Sequence, residues 1–319
     1  MKNNSFVSDQ PLVSIICVVY NHEPFLKDCL EGFVMQRTSF PIEVLIHDDA
    51  STDHSADIIR AYETKFPHLF KPIYQTQNQK SRGVSIPKEI MFPRVKGKYI
   101  ALCEGDDYWT DPLKLQKQVD YMESHPDCTF CFHNAIVQWE GESREKEFFA
   151  ELEERDYSGD ELCQKWIAPN ASYLMLASLT KGYSALVSEY GPFVFTDRPL
   201  SLWCAHMGTV HAFSEAMCVY RRHSGGYTHN FNAAKIYGQA RTWERMRYAY
   251  DGDFFESLTK NMMGSYILAS IRGLSEKDFS TAVKAFYRGI IRHPVMGIKA
   301  LVKIPKERRA RKSSESCHV

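Results

Sequence analysis

The chain has 319 residues, 44% of them hydrophobic, which is enough for a large core in one elaborated domain or in a domain with an appendage. It carries 39 Lys and Arg and 39 Asp and Glu, so overall charge excludes no class of partner and favours none. No apolar run approaches the ~20 residues of a membrane span, and the polar stretch before Pro11 lacks the apolar core of a signal peptide. We therefore expect a soluble or peripheral protein.

Three strands are predicted near the start, where apolar and β-branched runs end at polar turns: Val13–Val19, Ile42–Ile46 and Lys71–Thr76. A helix should begin near Pro24, since proline suits a first helical position. Thr52 or Asp53 should cap the helix after the second strand. Strand and helix patterns alternate over the first ~120 residues, which favours a parallel, doubly wound sheet.

The run from Ala101 to Trp109 carries the strongest chemical signal, because an apolar segment ends in Glu104, Asp106 and Asp107. Adjacent carboxylates repel each other and are costly to desolvate, and a divalent cation removes both problems. Mg²⁺ typically binds one or two carboxylates together with substrate phosphate oxygens. The run therefore predicts a metal-bridged diphosphate site. The alternative is a solvated turn, for which Trp109 is an unusual residue.

Farther along, strands are predicted at Cys128–Val137 and Phe193–Phe195, with an antiparallel pair at Val210–Phe213 and Ala216–Tyr220. The charge-rich segment Glu140–Glu161 is expected to be a mobile surface insertion. From Asn232 onward the pattern is helical.

Nine cysteines are scattered through apolar runs such as those of Cys17 and Cys103, which indicates buried thiols in a reducing compartment. Cys128 and Cys131 form one CxxC pair, but no second pair follows, so a zinc or redox site is not favoured.

Several stretches together resemble the family 2 inverting glycosyltransferases of the GT-A fold, most closely bacterial members that build surface polysaccharides. They are an opening strand ending in Tyr20-Asn21, HDDASTD at 47–53, KGKYIALCEGDDYWTDPLKLQKQV at 96–119, TDRPLSLWCAHMG at 196–208 and AMCVYRRHSGG at 216–226. The resemblance covers about Pro11–Gly226. It implies an α/β GT-A-type fold with a doubly wound, mixed, mainly parallel sheet flanked by helices. The nucleotide-sugar-binding domain, with its acceptor-side part, would span 1–230, and a helical C-terminal extension would span 231–319.

The resemblance implies an inverting, metal-dependent transfer of a sugar from a nucleoside-diphosphate donor, with uracil favoured as the base, to a hydroxyl of a glycan or lipid-linked acceptor. The backbone around Val19 and Tyr20 would hold the base and ribose, with Glu23 near the same moiety. Asp49 matches the acidic residue that meets the base. Glu104 stands where many relatives carry Asp, so its contact with ribose, with metal or with neither stays open.

On the diphosphate side, the resemblance places Asp106 and Asp107 at the Mg²⁺ or Mn²⁺ ion. His223, with Arg221 or Arg222, matches a closing segment near the diphosphate, where His223 could also bind the metal and Arg222 the donor. Asp197 matches the catalytic base. A base opposite the leaving group and a metal on the diphosphate suffice for inversion.

Simpler structural roles remain open for several of these residues. Asp49 and Asp197 could cap helices, and His223 could be a surface-loop histidine. A sugar nucleotidyltransferase is the rival enzyme, but the chain lacks a glycine-rich loop after its first strand. A catalytically inactive carbohydrate-binding scaffold is the non-enzymatic alternative.

The segment Ala285–Lys312 carries nine Lys and Arg and one Glu among apolar residues. This pattern suits a helix lying on an anionic membrane surface, or equally an amphipathic helix packed on the protein. We expect a cytoplasmic location, peripheral on the inner face of the membrane if the tail binds there, and no nucleic-acid partner.

Overall fold

Within residues 10–142, 144–226 and 231–293, which the computed structural model describes, the chain forms ten strands and nine α-helices. The strands are β1 (Val13–Val19), β2 (Ile42–Asp48), β3 (Phe70–Tyr74), β4 (Tyr99–Leu102), β5 (Tyr108–Trp109), β6 (Cys128–Trp139), β7 (Glu147–Phe148), β8 (Arg155–Asp156), β9 (Leu174–Leu176) and β10 (Thr209–Arg222). The helices are α1 (Glu23–Val34), α2 (Ser55–Lys65), α3 (Lys114–Ser124), α4 (Gly159–Gln164), α5 (Leu179–Tyr190), α6 (Asp197–Met207), α7 (Ala233–Met246), α8 (Phe255–Ser275) and α9 (Phe279–Phe286).

All ten strands belong to one mixed sheet, whose main order is β3-β2-β1-β4-β9-β6-β10-β5. The ladders β2–β3, β1–β2, β1–β4 and β6–β10 are parallel, and the short strand β9 joins β4 to β6 in antiparallel pairing. The expected mainly parallel α/β sheet is therefore confirmed. Because β1, β2 and β4 are parallel neighbours, their carboxyl ends lie along the same edge.

The register of β1 follows from its alternating side chains. Ile15 pairs with Val44 of β2 on one side and with Ala101 of β4 on the other. These residues are fully buried in one core with the apolar face of α1, formed by Leu26, Leu30 and Phe33. Burial of each such side chain contributes roughly 1.5–3 kcal/mol, so a register slip of one residue would be costly.

Two predicted strand assignments are wrong. The residues 210–220 do not form an antiparallel pair, because β10 runs through them as one strand parallel to β6. Two extra residues, Ser214 and Glu215, are absorbed as a bulge between Phe213 and Ala216. Phe193–Phe195 is not a strand either. The Val194 N–H donates to Oγ1 of Thr242 at 3.1 Å and the Phe195 ring packs on Trp243, so this segment is held by α7 instead of a ladder.

The charged segment Glu140–Glu161 is paired to the sheet, in contrast to the expected mobile insertion. Its strands β7 and β8 add to β6 and β10. Between them, Phe149 packs edge-on against Trp166 and Tyr220. A few apolar anchors thus fix a segment whose charges face solvent.

The chain divides into two compact units. One contains the described residues up to Ala185 together with Leu200–His223, and the other contains Leu186–Pro199 together with the described residues from Ser224 onward. Most of the basic segment Ala285–Lys312, from residue 294 onward, lies outside the described residues. In the described part of the chain no helix is both long and apolar enough to cross a bilayer.

Candidate active site

The carboxyl ends of β1, β2 and β4 are joined by backbone hydrogen bonds. The Asp49 N–H donates to the Val19 carbonyl at 2.9 Å, and the Gly105 N–H donates to the Val18 carbonyl at 3.1 Å. The loops that carry Asp49 and Asp106 therefore start beside each other at the sheet edge. This is the edge where open α/β sheets collect ligands.

The loop after β4 that carries Glu104, Asp106 and Asp107, which we term the acidic loop, requires Gly105 where it passes close to β1. A Cβ atom there would lie 2.8 Å from Nδ1 of His22 and 2.9 Å from Cγ2 of Val19. The loop is closed by the Asp107 N–H, which donates to the Glu104 carbonyl at 3.1 Å. Glu104 itself is exposed at the start of this turn.

Asp106 lies between two imidazoles. Its Oδ2 atom is 3.2 Å from Nε2 of His223 and 3.9 Å from Nε2 of His22. Burial alone would raise the pKa of Asp106, but the His223 hydrogen bond and the neighbouring His22 hold it below its ordinary value. Burial lowers the pKa of His22. The Oδ1 atom of Asp106 is buried without a hydrogen-bond partner among the described residues.

Asp107 is turned inward and is almost fully buried. Its Oδ1 atom accepts a hydrogen bond from the Arg221 N–H at 2.8 Å. Burial, and after it the negative charge of Asp106, raises the pKa of Asp107 well above its ordinary value. Asp107 therefore ties the acidic loop to β10, whereas Asp106 keeps an unpartnered oxygen.

Arg221 binds the backbone of the acidic loop through its guanidinium group. One terminal nitrogen donates to the Asp106 carbonyl at 3.2 Å and to the Phe25 carbonyl at 3.3 Å, and the other binds the Asp28 carboxylate. The guanidinium lies 4.4 Å from the centre of the Tyr108 ring. These contacts fix the backbone on which Asp106 stands, because a planar guanidinium binds several acceptors at once.

Arg222 lies apart from this cluster, because successive side chains of a strand point to opposite faces. Its guanidinium is 4.7 Å from the centre of the Trp139 ring, and that of Arg144 is 4.4 Å from the same centre. Of the two adjacent arginines, the structure brings Arg221 to the acidic loop.

Asp49 binds the loop that follows β3. Its two carboxylate oxygens accept the N–H groups of Gln79 and Lys80 at 2.6 and 3.1 Å. It does not cap a helix. It holds the polar segment 77–83 at the carboxyl edge of β2, next to the end of β1.

The end of β1 is held by the loop that precedes α2. The Asn21 side-chain oxygen accepts the Thr52 N–H at 2.8 Å, and Asn21 itself adopts a positive φ of 55°. Asp53 accepts the N–H groups of Ser55 and Glu23, each at 3.0 Å, and so fixes the starts of α2 and α1 together. The expected cap at Thr52 or Asp53 is wrong by one or two positions, because the N-cap of α2 is His54, whose side chain makes no capping hydrogen bond; Asp53, one residue earlier, accepts the Ser55 N–H instead. Tyr20 projects from this frame with 45% of its surface exposed.

Asp197 belongs to the second compact unit and is the first residue of α6. Burial raises the pKa of its carboxyl group. It follows a side-chain-anchored loop and not the predicted strand. Asp197 is therefore the first helical residue of α6, whereas a helix cap would be the residue just before the first helical one.

The donor set around Asp106 fits a divalent cation only in part. Among the described residues, no three or more His, Cys, Asp or Glu side chains are grouped so as to hold a metal ion. However, the buried, unpartnered Oδ1 of Asp106 is an anionic ligand next to the His223 imidazole. A Mg²⁺ or Mn²⁺ ion that takes its remaining ligands from a diphosphate and water needs no more protein groups.

His22 was not assigned from the sequence, and Arg221 was named only as an alternative to Arg222. His22 carried no signal, because a lone histidine after a strand is indistinguishable from a loop residue. Arg221 was one of two adjacent arginines, and only the strand alternation of β10, if its single-strand nature had been predicted, could have selected it.

Comparison with known proteins identifies the family and the fold of the chain. The sequence model of glycosyl transferase family 2 matches residues 14–177. The uncharacterized protein Rv1520 of Mycobacterium tuberculosis is 38% identical over 242 residues, which is 73% of this chain and 67% of that protein. The putative teichuronic acid biosynthesis glycosyltransferase TuaG of Bacillus subtilis is 32% identical over 123 residues, 39% of this chain and 46% of that protein.

Two solved structures share the fold. S. aureus TarS 1–349 in complex with UDP-GlcNAc has a TM-score of 0.63 at 15% identity, covering 87% of this chain and 80% of that one. The mannosyltransferase PcManGT of Pyrobaculum calidifontis, in complex with GDP-Man and Mn²⁺, has a TM-score of 0.53 at 15% identity, covering 96% and 84%. The matched family and the shared sheet show that this chain belongs to glycosyltransferase family 2 and has the GT-A fold.

Proposed function

We propose that the chain transfers a sugar from a UDP-sugar to a hydroxyl of a glycan or lipid-linked acceptor, with inversion and with the help of Mg²⁺ or Mn²⁺. The observation that carries the proposal is the buried, unpartnered Oδ1 of Asp106 beside the imidazole of His223 at the sheet edge. A carboxylate kept ionised in a buried place, with an open lone pair, is typical of a cation site.

Asp106 and His223 would hold the ion in this proposal. When bound, the metal would neutralise the charge that develops on the departing diphosphate. Asp107 would join Asp106 and His223 through its other carboxylate oxygen, while its Oδ1 accepts the Arg221 N–H. Arg221, which also donates to the Asp106 carbonyl, would position the loop. His22 lies 3.9 Å from Asp106 and would hold that carboxylate toward the diphosphate.

The nucleoside would bind at the ends of β1 and β2. Tyr20 is exposed there, and the Val19 carbonyl and Asp49 already share a hydrogen bond that joins the two strands. Asp49, by holding the segment 77–83, would shape the base-binding wall as well as meet the base. Glu23 stands at the start of α1, where helix N–H groups favour an anionic ligand nearby.

Asp197 would deprotonate the acceptor hydroxyl. Burial raises the pKa of its carboxyl group, and a higher pKa makes a stronger base. The inverting outcome follows if the acceptor attacks from the side opposite the leaving diphosphate.

A nucleotide-sugar donor is supported by the similar proteins. TarS binds a UDP-sugar, PcManGT binds GDP-Man with Mn²⁺, and the name of TuaG assigns it to teichuronic acid biosynthesis. We therefore propose that this chain acts in the synthesis of a cell-envelope polysaccharide. We also propose that it works in the cytoplasm.

Thermal stabilisation and donor hydrolysis test this function together. A panel of UDP- and GDP-sugars is added to the wild type, Asp106→Asn and Asp160→Asn, with Mn²⁺ or with EDTA. We expect at least one UDP-sugar to raise the melting temperature and to be slowly hydrolysed only with Mn²⁺, in the wild type and in Asp160→Asn. Asp160 lies in the first turn of α4, outside the acidic loop and the strands that carry it, and serves as the matched control.

Failure of every nucleotide sugar to stabilise the wild type would overturn the proposed function. Binding without hydrolysis or transfer would instead favour the inactive scaffold. Full activity in EDTA would remove the metal from the proposal and leave the transferase.

A further inference from the structure

Helix α9 is packed in the reverse of the usual sense. It buries its small residues, Ala282 and Ala285, and exposes its large apolar ones. The exposed residues continue into the π-helical turn Tyr287–Ile291 and form what we term the exposed ridge: Phe279, Val283, Phe286, Tyr287 and Ile291. Each of the five is between 48% and 67% exposed.

The inward face of α9 explains why the ridge cannot turn inward. A Cβ atom at Gly273 of α8 would lie 3.0 Å from Cβ of Ala282, and one at Gly289 would lie 2.7 Å from Cβ of Tyr266. The two helices therefore approach closely through glycine and alanine. Large side chains have no room in this contact, so the orientation of the helix is fixed by packing.

The ridge is continuous on one side of the helix. Phe279, Val283, Phe286 and Tyr287 follow one another at spacings of four, three and one residues, and Ile291 lies a further turn on. A surface helix ordinarily buries such a stripe. A contiguous exposed stripe marks an interaction surface.

The positive charge of the sequence around the ridge indicates which kind of partner the ridge binds. From Phe279 to Lys312 the sequence has ten Lys and Arg and one acidic residue, Glu307. Lys284 and Arg292 are exposed beside the ridge, and Arg288 and Arg292 both form ion pairs with Glu244, at 3.0 and 4.0 Å. Aromatic and aliphatic side chains on one face with basic residues around them are typical of helices that lie in a membrane interface.

We propose that the exposed ridge docks this protein on an anionic bilayer, with its apolar side chains in the headgroup region and the basic residues on lipid phosphates. A second copy of the chain is the less suitable occupant. Two ridges brought together would also bring together two basic segments, which repel each other, whereas anionic lipid attracts them.

Flotation of the full-length protein with vesicles tests the proposal without any nucleotide sugar, so the result is independent of the transferase reaction. One set of vesicles is phosphatidylcholine, and the other is phosphatidylcholine mixed with phosphatidylglycerol. The variants are Phe279→Ser with Val283→Ser in the ridge and Phe148→Ser as control. Phe148 lies on β7 with 64% exposure, close to the 61% of Phe279.

We expect the wild type and Phe148→Ser to float with the anionic vesicles, and less so in high salt. The ridge variant should lose at least about tenfold in partitioning, because two apolar side chains no longer leave water. Ile291→Ser alone, with a threefold or greater loss on the same basis, replaces the double variant if that variant melts early.

The proposal is overturned if the wild type does not float with anionic vesicles. That result is expected if the protein's own basic segment covers the ridge. The proposal is also overturned if the ridge variant floats as well as the control. Sedimentation velocity adds a further decisive outcome. A wild-type dimer that the ridge variant abolishes, without vesicle binding, would assign the ridge to a second copy.

Discussion

The Nε2 atom of His223 lies 3.2 Å from Oδ2 of Asp106, across 117 positions of sequence. His223 directly follows β10, which ends at Arg222, and contacts the loop after β4. Arg221 binds the same loop through its backbone N–H and its guanidinium. Arg221 and His223 therefore both contact the loop where, in our proposal, the donor diphosphate would bind.

His223→Ala should weaken Mn²⁺ binding in the UDP-saturated protein by ~10–100-fold, since changes to metal-site residues have effects of that size. Calorimetric titration of Mn²⁺ into the UDP complex measures the change. His54→Ala is the control, because His54 is exposed and its partner is Asp57 at 3.3 Å. Equal Mn²⁺ affinity in both variants would remove His223 from the metal site.

Gly105→Ala should destabilise the protein by ~1–3 kcal/mol, because a methyl group would meet His22 and Val19 below 3.0 Å. Urea unfolding measures the loss. Gly264→Ala is the matched control, as a Cβ there has nothing within 4 Å, and it should stabilise α8 by up to ~1 kcal/mol. If both variants gained stability alike, the close passage of the acidic loop over β1 would be refuted.

Asp197→Asn should lower sugar transfer by at least ~10²-fold with near-normal melting temperature and donor affinity, because the amide cannot accept the hydroxyl proton. A merely structural Asp197, at the start of α6, would contribute ~0.3–1 kcal/mol through the helix dipole. Both Asp197→Asn and Asp197→Ala are then assayed for transfer and melting. Transfer near the wild-type rate in Asp197→Asn would place the base elsewhere.

Lys114 should make stability depend on pH in the alkaline range. Its side chain is fully buried, donating to Gln118 at 2.7 Å, and burial lowers its pKa to about 8 from 10.5. Between those two values the unfolded chain binds one more proton than the folded one, so this group makes unfolding free energy rise with pH. The gain approaches ~3 kcal/mol by pH 10.5.

Lys114→Met isolates this contribution, because buried thiols such as Cys131 and Cys218, whose pKa values are raised by burial, act in the opposite direction in both proteins. The unfolding free energy of the variant minus that of the wild type should fall as the pH rises from 7.5 to 10.5. This range runs from just below the pKa of Lys114 in the folded protein, about 8, up to its ordinary pKa of 10.5. A constant difference would mean that Lys114 keeps its ordinary pKa.

The elements whose apolar pattern is continuous in the sequence were predicted correctly. The apolar runs of β1 and β2 and the periodic face of α1 are continuous in sequence, and the structure has them where they were expected. The acidic run after β4 was also visible, since three carboxylates behind a buried strand are a strong local signal.

Features that depend on distant partners could not be predicted. Ser214 and Glu215 read as a turn, yet β6 pairs with β10 on both sides of them and makes them a bulge. Phe195 was predicted to be part of a strand, but its ring packs against Trp243 on α7. The distinction between Arg221 and Arg222, and the presence of His22 beside Asp106, likewise exist only once β10, α1 and the acidic loop are assembled.

The central claim is that Asp106 joins a divalent metal to the donor diphosphate, and UDP affinity measured with Mn²⁺ and with EDTA tests it most directly. In the wild type, Mn²⁺ should raise the affinity for UDP by at least ~10-fold. In Asp106→Asn, the affinity should be low and the same with or without Mn²⁺, while uridine, which lacks the diphosphate, should bind both proteins equally. An Asp106→Asn protein whose UDP affinity rises with Mn²⁺ as much as that of the wild type would contradict the account.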